Sequence, residues 1–151
     1  AKTLFPYTTL FRSLDHRFTL LCATDATIPA DLLAVVDDDD DVRVALRRLV
    51  SSAGFAVETY ASGAEFLRSV DDHEPDCVVL DLHMPGMSGF ELMERLQGGV
   101  PVVVVTGQDS PEAEMRSIDA GAGIYLRKPV NGHQLIAAIR SVIARSGIPN
   151  R

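Results

Sequence analysis

Residues 32–54 read LLAVVDDDDDVRVALRRLVSSAG, and the reading of this stretch decides the fold. Leu32–Val36 is a continuous apolar run, the pattern of a strand buried on both faces. Asp37 stops it. Beyond the aspartates, Val42, Leu46, Leu49, Val50 and Ala53 fall at i, i+4, i+7, i+8 and i+11, which predicts one apolar stripe of a helix that Gly54 can end. A strand feeding through acidic residues into an amphipathic helix is the first half of a parallel β-α-β unit.

The same alternation repeats four more times. Phe55–Thr59 predicts a second strand, and Ser62 with Glu65 predicts a capping box opening a helix to about Val70. Cys77–Leu80 is again wholly apolar, and Ser88 with Glu91 opens a short helix that Gly98 and Gly99 close. Val100–Val105 and Gly123–Arg127 predict the last two strands. Ser110 before Pro111 caps the helix between them, and Asn131 caps a final helix bearing Leu135, Ile136, Ile139, Val142 and Ile143. Five strands in strict alternation with five helices predict an α/β fold, a doubly wound parallel sheet with helices on both faces. Ligands of such sheets sit beyond the carboxyl ends of the strands.

Those ends are where the chemistry collects. Asp37 and Asp38 follow the first strand, Asp81 the third, Thr106 ends the fourth and Lys128 follows the fifth. Three carboxylates at one mouth repel, by roughly 4 kcal/mol per pair at 4 Å and an effective dielectric of 20, and so call for a cation. Hard oxygen ligands with room for water suit Mg2+. A strand-end carboxylate beside such an ion can act as a nucleophile toward phosphorus, with Lys128 and the Thr106 hydroxyl meeting the phosphoryl oxygens. Asp39, Asp40 and Asp41 read instead as a solvated helix start favoured by the helix dipole.

Composition narrows the function classes. The 151 residues are 46% apolar and 23% charged, which suits one domain. Asp and Glu number 21 against 14 Lys and Arg, a net charge of −7 that argues against direct nucleic-acid binding by this chain. Cys22 and Cys77 form no paired motif, and a reducing cytoplasm is the expected location. No apolar run reaches the roughly 18 residues that span a bilayer.

Residues 1–30 lack any sustained period and are read as a non-native or disordered leader, ahead of a domain at 31–146 and a tail at 147–151. Arg12, Asp15, His16 and Arg17 break up any secretory h-region. Thr3–Ser13, TLFPYTTLFRS, resembles the translation of a common sequencing-adapter oligonucleotide, which implies a gene-assembly scar.

Residues 32–144 resemble the receiver domain of two-component response regulators, on the segments VVDDDDDVRVAL, VVLDLHMPGMSGFEL, VVVVTG and LRKP. The start and the TG after the fourth strand look most like the receivers of nitrogen-fixation-type transcriptional regulators. The resemblance implies a flavodoxin-like sheet in the order 2-1-3-4-5. It implies Asp81 as phosphoacceptor, Asp38 and Asp81 as magnesium ligands, Asp37 acting through water, and the His83 backbone carbonyl as a further ligand. Thr106 and Tyr125 match the switch hydroxyl and switch aromatic, and Lys128 the phosphoryl-binding lysine before a cis Pro129. His83 and Gln108 stand at two places that influence phosphoryl lifetime in the family.

The function so implied is a phosphoacceptor that takes its phosphoryl group from a sensor histidine kinase or phosphotransfer protein. It is not a turnover enzyme, though able to catalyse its own phosphorylation and dephosphorylation. Its partners are then an effector protein or domain and, on phosphorylation, a second copy of itself. Two alternatives stand: a phosphorylation-independent binding module of the same fold, or the truncated N-terminal part of a DNA-binding regulator. A phosphohydrolase would want an acid two positions after the nucleophile, where this chain has His83. The stretch from Asp81 to Thr106 is shorter than the family's usual length, which leaves the third helix short.

Overall fold

A computed structural model describes residues 30–147, so the readings made for residues 1–29 and 148–151, the adapter-like segment included, lie outside the described residues. Ten elements alternate along the chain: β1 (Leu32–Val36), α1 (Asp40–Ser52), β2 (Ala56–Tyr60), α2 (Gly63–Val70), β3 (Cys77–Leu80), α3 (Gly89–Leu96), β4 (Val102–Thr106), α4 (Pro111–Asp119), β5 (Ile124–Arg127) and α5 (Gly132–Arg145). All five strands are parallel, in the order β2-β1-β3-β4-β5. The doubly wound sheet expected from the alternation is the one observed.

The period of two along each strand builds two cores, because successive side chains leave opposite faces of a sheet. Ala34, Val36, Val78, Leu80, Val102 and Val104 pack with Phe66 of α2 and Phe90, Leu92 and Met93 of α3. Leu33, Val35, Val79, Val103 and Val105 pack with Leu46 and Val50 of α1 and with Leu135, Ile139 and Val142 of α5. The central strands β1, β3 and β4 are buried along their whole length. Helices thus cover both faces, and the strand ends are left as the open rim.

Local details differ from the sequence pattern, the start of β5 at Ile124 rather than Gly123 among them. β4 starts at Val102 rather than Val100, since Pro101 has no N–H to give the ladder, although its carbonyl accepts from Val78 N–H at 2.9 Å. β2 is shifted by one residue to end on the buried Tyr60, whose ring meets Phe66 edge-on at 5.3 Å. At α2, Ser62 accepts from the Glu65 N–H, but the Glu65 carboxylate accepts from Ala61 N–H at 2.8 Å, so the reciprocal half of that box reaches one residue further back. The box at Ser88 and Glu91 closes in both directions. α3 is short, eight residues, and its cap is Gln97 in the left-handed region at φ 50°, with Gly98 following at φ 72°.

Candidate functional site

Ladder hydrogen bonds run one residue past the strands and so fix the groups at the rim. Asp37 N–H donates to the Tyr60 carbonyl at 3.2 Å, Asp81 N–H to the Val36 carbonyl at 3.0 Å, and Lys128 N–H to the Thr106 carbonyl at 2.8 Å. Each side chain there is held by sheet register rather than by a free loop. Asp37, Asp38 and Asp81 each present a carboxylate oxygen within 4.8 Å of the others, with Asp37 and Asp81 buried and Asp38 exposed. Crowding of this kind needs positive charge.

Lys128 supplies part of it. Its Nζ donates to Asp37 Oδ2 at 2.7 Å and lies 3.8 Å from Asp81 Oδ2. The other oxygen of Asp37 accepts from Asp39 N–H at 2.9 Å, and the Asp37 backbone carbonyl accepts from the Arg43 guanidinium, which also pairs with Asp40. Asp37 therefore has protein partners on both oxygens. Burial pushes the Asp81 carboxyl above the usual carboxylate range; Lys128 pulls it down, Asp37 and Asp38 push it up, and the His83 backbone N–H bonded to it pulls it down. Asp81 is the strained member of the cluster.

The donor set is three hard carboxylate oxygens with an open side, which fits a divalent ion of the Mg2+ type that keeps waters and leaves places for phosphate oxygens. Asp81 also sets the approach of α3. Gly89 N–H donates to the Leu82 carbonyl at 2.9 Å, and a Cβ on Gly89 would stand 2.5 Å from the Asp81 carbonyl oxygen. Only glycine lets the helix start so close to the acidic residue, a requirement that the sequence pattern did not reveal.

Thr106, at the end of β4, is fully buried, with its Oγ1 3.2 Å from Nδ1 of His83 and 3.4 Å from the Gln108 backbone N. Tyr125 lies on β5 opposite Val104, so its ring leaves the same sheet face as Thr106. Its hydroxyl donates to Asp109 Oδ1 at 3.1 Å, and burial first, then that bond, raises its pKa to about 12. Arg127 braces the same spot, 2.7 Å from Asp109 and 3.6 Å from Glu114 of α4. The Lys128–Pro129 peptide is cis. Of the residues predicted for the site, Asp37, Asp38, Asp81 and Lys128 form one cluster, and His83 joins Asp81 to Thr106; Tyr125 is turned to the α4 side. Sequence reasoning missed Asp109, Arg127, Gly89 and Arg43, whose roles depend on contacts across elements.

Residues 33–140 match the family described as the response regulator receiver domain. The chain is 36% identical over 126 residues to the "Transcriptional regulatory protein PrrA" of Mycobacterium tuberculosis, covering 82% of this chain and 54% of that protein. It is 38% identical over 117 residues to "Response regulator MprA" of the same species, covering 76% of this chain and 51% of that one. Among solved structures, a response regulator receiver protein from Burkholderia phymatum aligns at TM-score 0.70 with 42% identity, over 76% of this chain and 95% of that chain. The chemotaxis protein CheY4 of Vibrio cholerae aligns at 0.71 with 29% identity, over 75% and 98%.

This chain belongs to the response regulator receiver domain family and so to two-component signalling. Its curated relatives PrrA and MprA do not single out the nitrogen-fixation branch that the motif spelling suggested. The chain spans about half the length of those relatives. Among the described residues, no helix is long and apolar enough to cross a membrane.

Proposed function

We propose that this domain accepts a phosphoryl group on Asp81 from a sensor histidine kinase or phosphotransfer protein and converts it into a change of protein-binding surface. The observation that carries the reading is the convergence of Asp37, Asp38 and Asp81 within 4.8 Å, with the Lys128 amine 3.8 Å from Asp81. A carboxylate oxygen of Asp81 forms a bond to phosphorus while the P–N bond of the kinase phosphohistidine breaks, and the freed imidazole takes up a proton. Mg2+, when bound, neutralises the crowded carboxylates and gathers the phosphoryl oxygens. Asp38 and Asp81 would hold it, with Asp37 acting through water and the His83 backbone carbonyl as a further ligand.

Lys128 contributes a fixed positive charge against the phosphoryl oxygens. The same groups serve the domain's own phosphorylation and dephosphorylation, so it acts without being a turnover enzyme. Phosphorylation brings about two negative charges and new acceptor oxygens. Thr106 donates to one of them, Tyr125 leaves Asp109 for the space beside Thr106, and the α4–β5–α5 face changes shape. An effector protein or domain reads that face, as does a second copy of the chain. The setting is cytoplasmic, and the name of PrrA, a transcriptional regulatory protein of which this chain spans about half, favours a role in the control of transcription.

The test is incubation with Mg2+ and acetyl phosphate followed by intact-mass measurement. One phosphoryl mass on the native chain and none on Asp81→Asn is the expected result. Label retained by Asp81→Asn, or no adduct on either, refutes the assignment, and no adduct alongside unaltered partner binding is what a phosphorylation-independent module would give.

A further inference from the structure

One contact at the rim lies outside the switch described above. His83 is exposed, yet its Nδ1 lies 3.2 Å from the hydroxyl of the fully buried Thr106, 23 residues further along the chain. The backbone N–H of the same His83 is bonded to the Asp81 carboxylate. One residue thus touches the phosphoacceptor with its main chain and the strand-end hydroxyl with its ring.

A threonine hydroxyl has two acceptor sites and one hydrogen. The Gln108 N–H donates into one acceptor site of Thr106 at 3.4 Å, and the His83 ring faces the oxygen from another side. In one tautomer Nδ1 itself accepts the hydroxyl's hydrogen; when His83 carries its hydrogen on Nδ1, the hydroxyl has for its own hydrogen the Gln108 carbonyl, at a long 3.4 Å. That exceeds the ordinary O–H···O range of about 2.5–3.0 Å. A charged phosphoryl oxygen is a better acceptor than a distant neutral carbonyl.

We propose that His83, donating from Nδ1, is a positioning residue that fills an acceptor site of the Thr106 hydroxyl and leaves its one hydrogen for an oxygen of the phosphoryl group on Asp81. The proposal rests on the phosphoacceptor reading and deepens it. It makes Thr106 prepared for phosphorylation before the event, so that the new bond replaces a weak one. Because the ring is exposed, its removal leaves no buried cavity and little effect on stability.

The experiment is a double-mutant cycle read by binding of beryllofluoride, a phosphoryl mimic, in saturating Mg2+, followed by fluorine NMR on the native chain, His83→Ala, His83→Gln, Thr106→Ala and the His83→Ala/Thr106→Ala pair. His83→Ala weakens binding about fivefold, the worth of one net hydrogen bond. His83→Gln, which restores an N–H donor, recovers it to within about twofold of native. In the Thr106→Ala background, His83→Ala has no further effect, since its partner is gone. An equal loss in both backgrounds, or no loss from His83→Ala with Thr106 present, overturns the positioning role while leaving the phosphoacceptor reading intact. A native chain that binds no beryllofluoride and takes up no phosphoryl mass overturns that reading, and the role of His83 with it.

Discussion

Asp81 should weaken the fold that carries it, and replacing it by asparagine measures by how much. Its carboxylate oxygen lies within 4.8 Å of those of Asp37 and Asp38 and 3.8 Å from Lys128 Nζ. At an effective dielectric of 20, each repulsion is about 3.5 kcal/mol and the attraction about 4.4 kcal/mol, which leaves roughly 2–3 kcal/mol against the charge before desolvation is added. Solvent at the open rim trims the electrostatic part, so in metal-free buffer Asp81→Asn should be more stable than the native chain by about 2 kcal/mol. For a domain of this size that is a Tm rise of roughly 6–10 °C.

The pH dependence follows from the raised pKa of Asp81. The native state holds this proton more tightly than the unfolded chain, so the destabilisation is full at neutral pH and fades as pH falls toward the ordinary carboxylate range. The advantage of Asn should therefore shrink on acidification. Mg2+ acts in the opposite direction, adding about 2.7 kcal/mol to the native chain at a hundred times its Kd and less to the variant, which closes or reverses the gap. Thermal melts with EDTA at neutral and mildly acidic pH, then with Mg2+, test all three. An Asn variant less stable than native in EDTA at neutral pH, or an advantage that pH leaves unchanged, would refute the electrostatic reasoning.

Gly89→Ala should destabilise by about 1–2 kcal/mol in urea titrations, because overpacking against the Asp81 carbonyl and Leu82 Cα outweighs the helix propensity of alanine; a stabilised variant would show that the backbone yields. Ser88→Ala removes the cap of α3 and should cost about 1 kcal/mol, read as a lower urea midpoint at an unchanged slope. The Glu91 carboxyl is held below its usual range by the Ser88 backbone N–H, so its contribution to α3 is present at neutral pH and is lost as pH falls through its lowered pKa; Glu91→Gln should flatten that acid limb. Lys128→Met leaves the acidic cluster without its amine, so it should lower the Tm in EDTA, recover much of the loss in Mg2+, and slow phosphate uptake from acetyl phosphate.

The placing of acids at the rim has a plain logic. On the proposed function, a group that the fold disfavours as a charge would be relieved by a cation, so the stability cost at Asp81 would become affinity for the ion and readiness for chemistry. Gly89 belongs to the same arrangement, since it brings the capped start of α3 against the acidic residue.

Local pattern determined the alternation of strands and helices, and the family resemblance supplied the strand order. Wholly apolar runs at 32–36 and 77–80, bounded by acidic and proline-bearing turns, read as strands covered on both faces, and the helix between β1 and β2 was legible from its stripe. Because parallel strands all end at one rim, the meeting of Asp37, Asp38, Asp81 and Lys128 followed from their places one or two residues past a strand. Tertiary structure decided what no period encodes. The seating of Tyr125 on Asp109, the contact of the His83 ring with Thr106, and the closeness of Gly89 to the Asp81 carbonyl join residues from different elements. Hydrophobic periodicity says which face of an element is buried, whereas these contacts depend on sheet register, loop path and side-chain rotamer, and those are set only when the whole core closes.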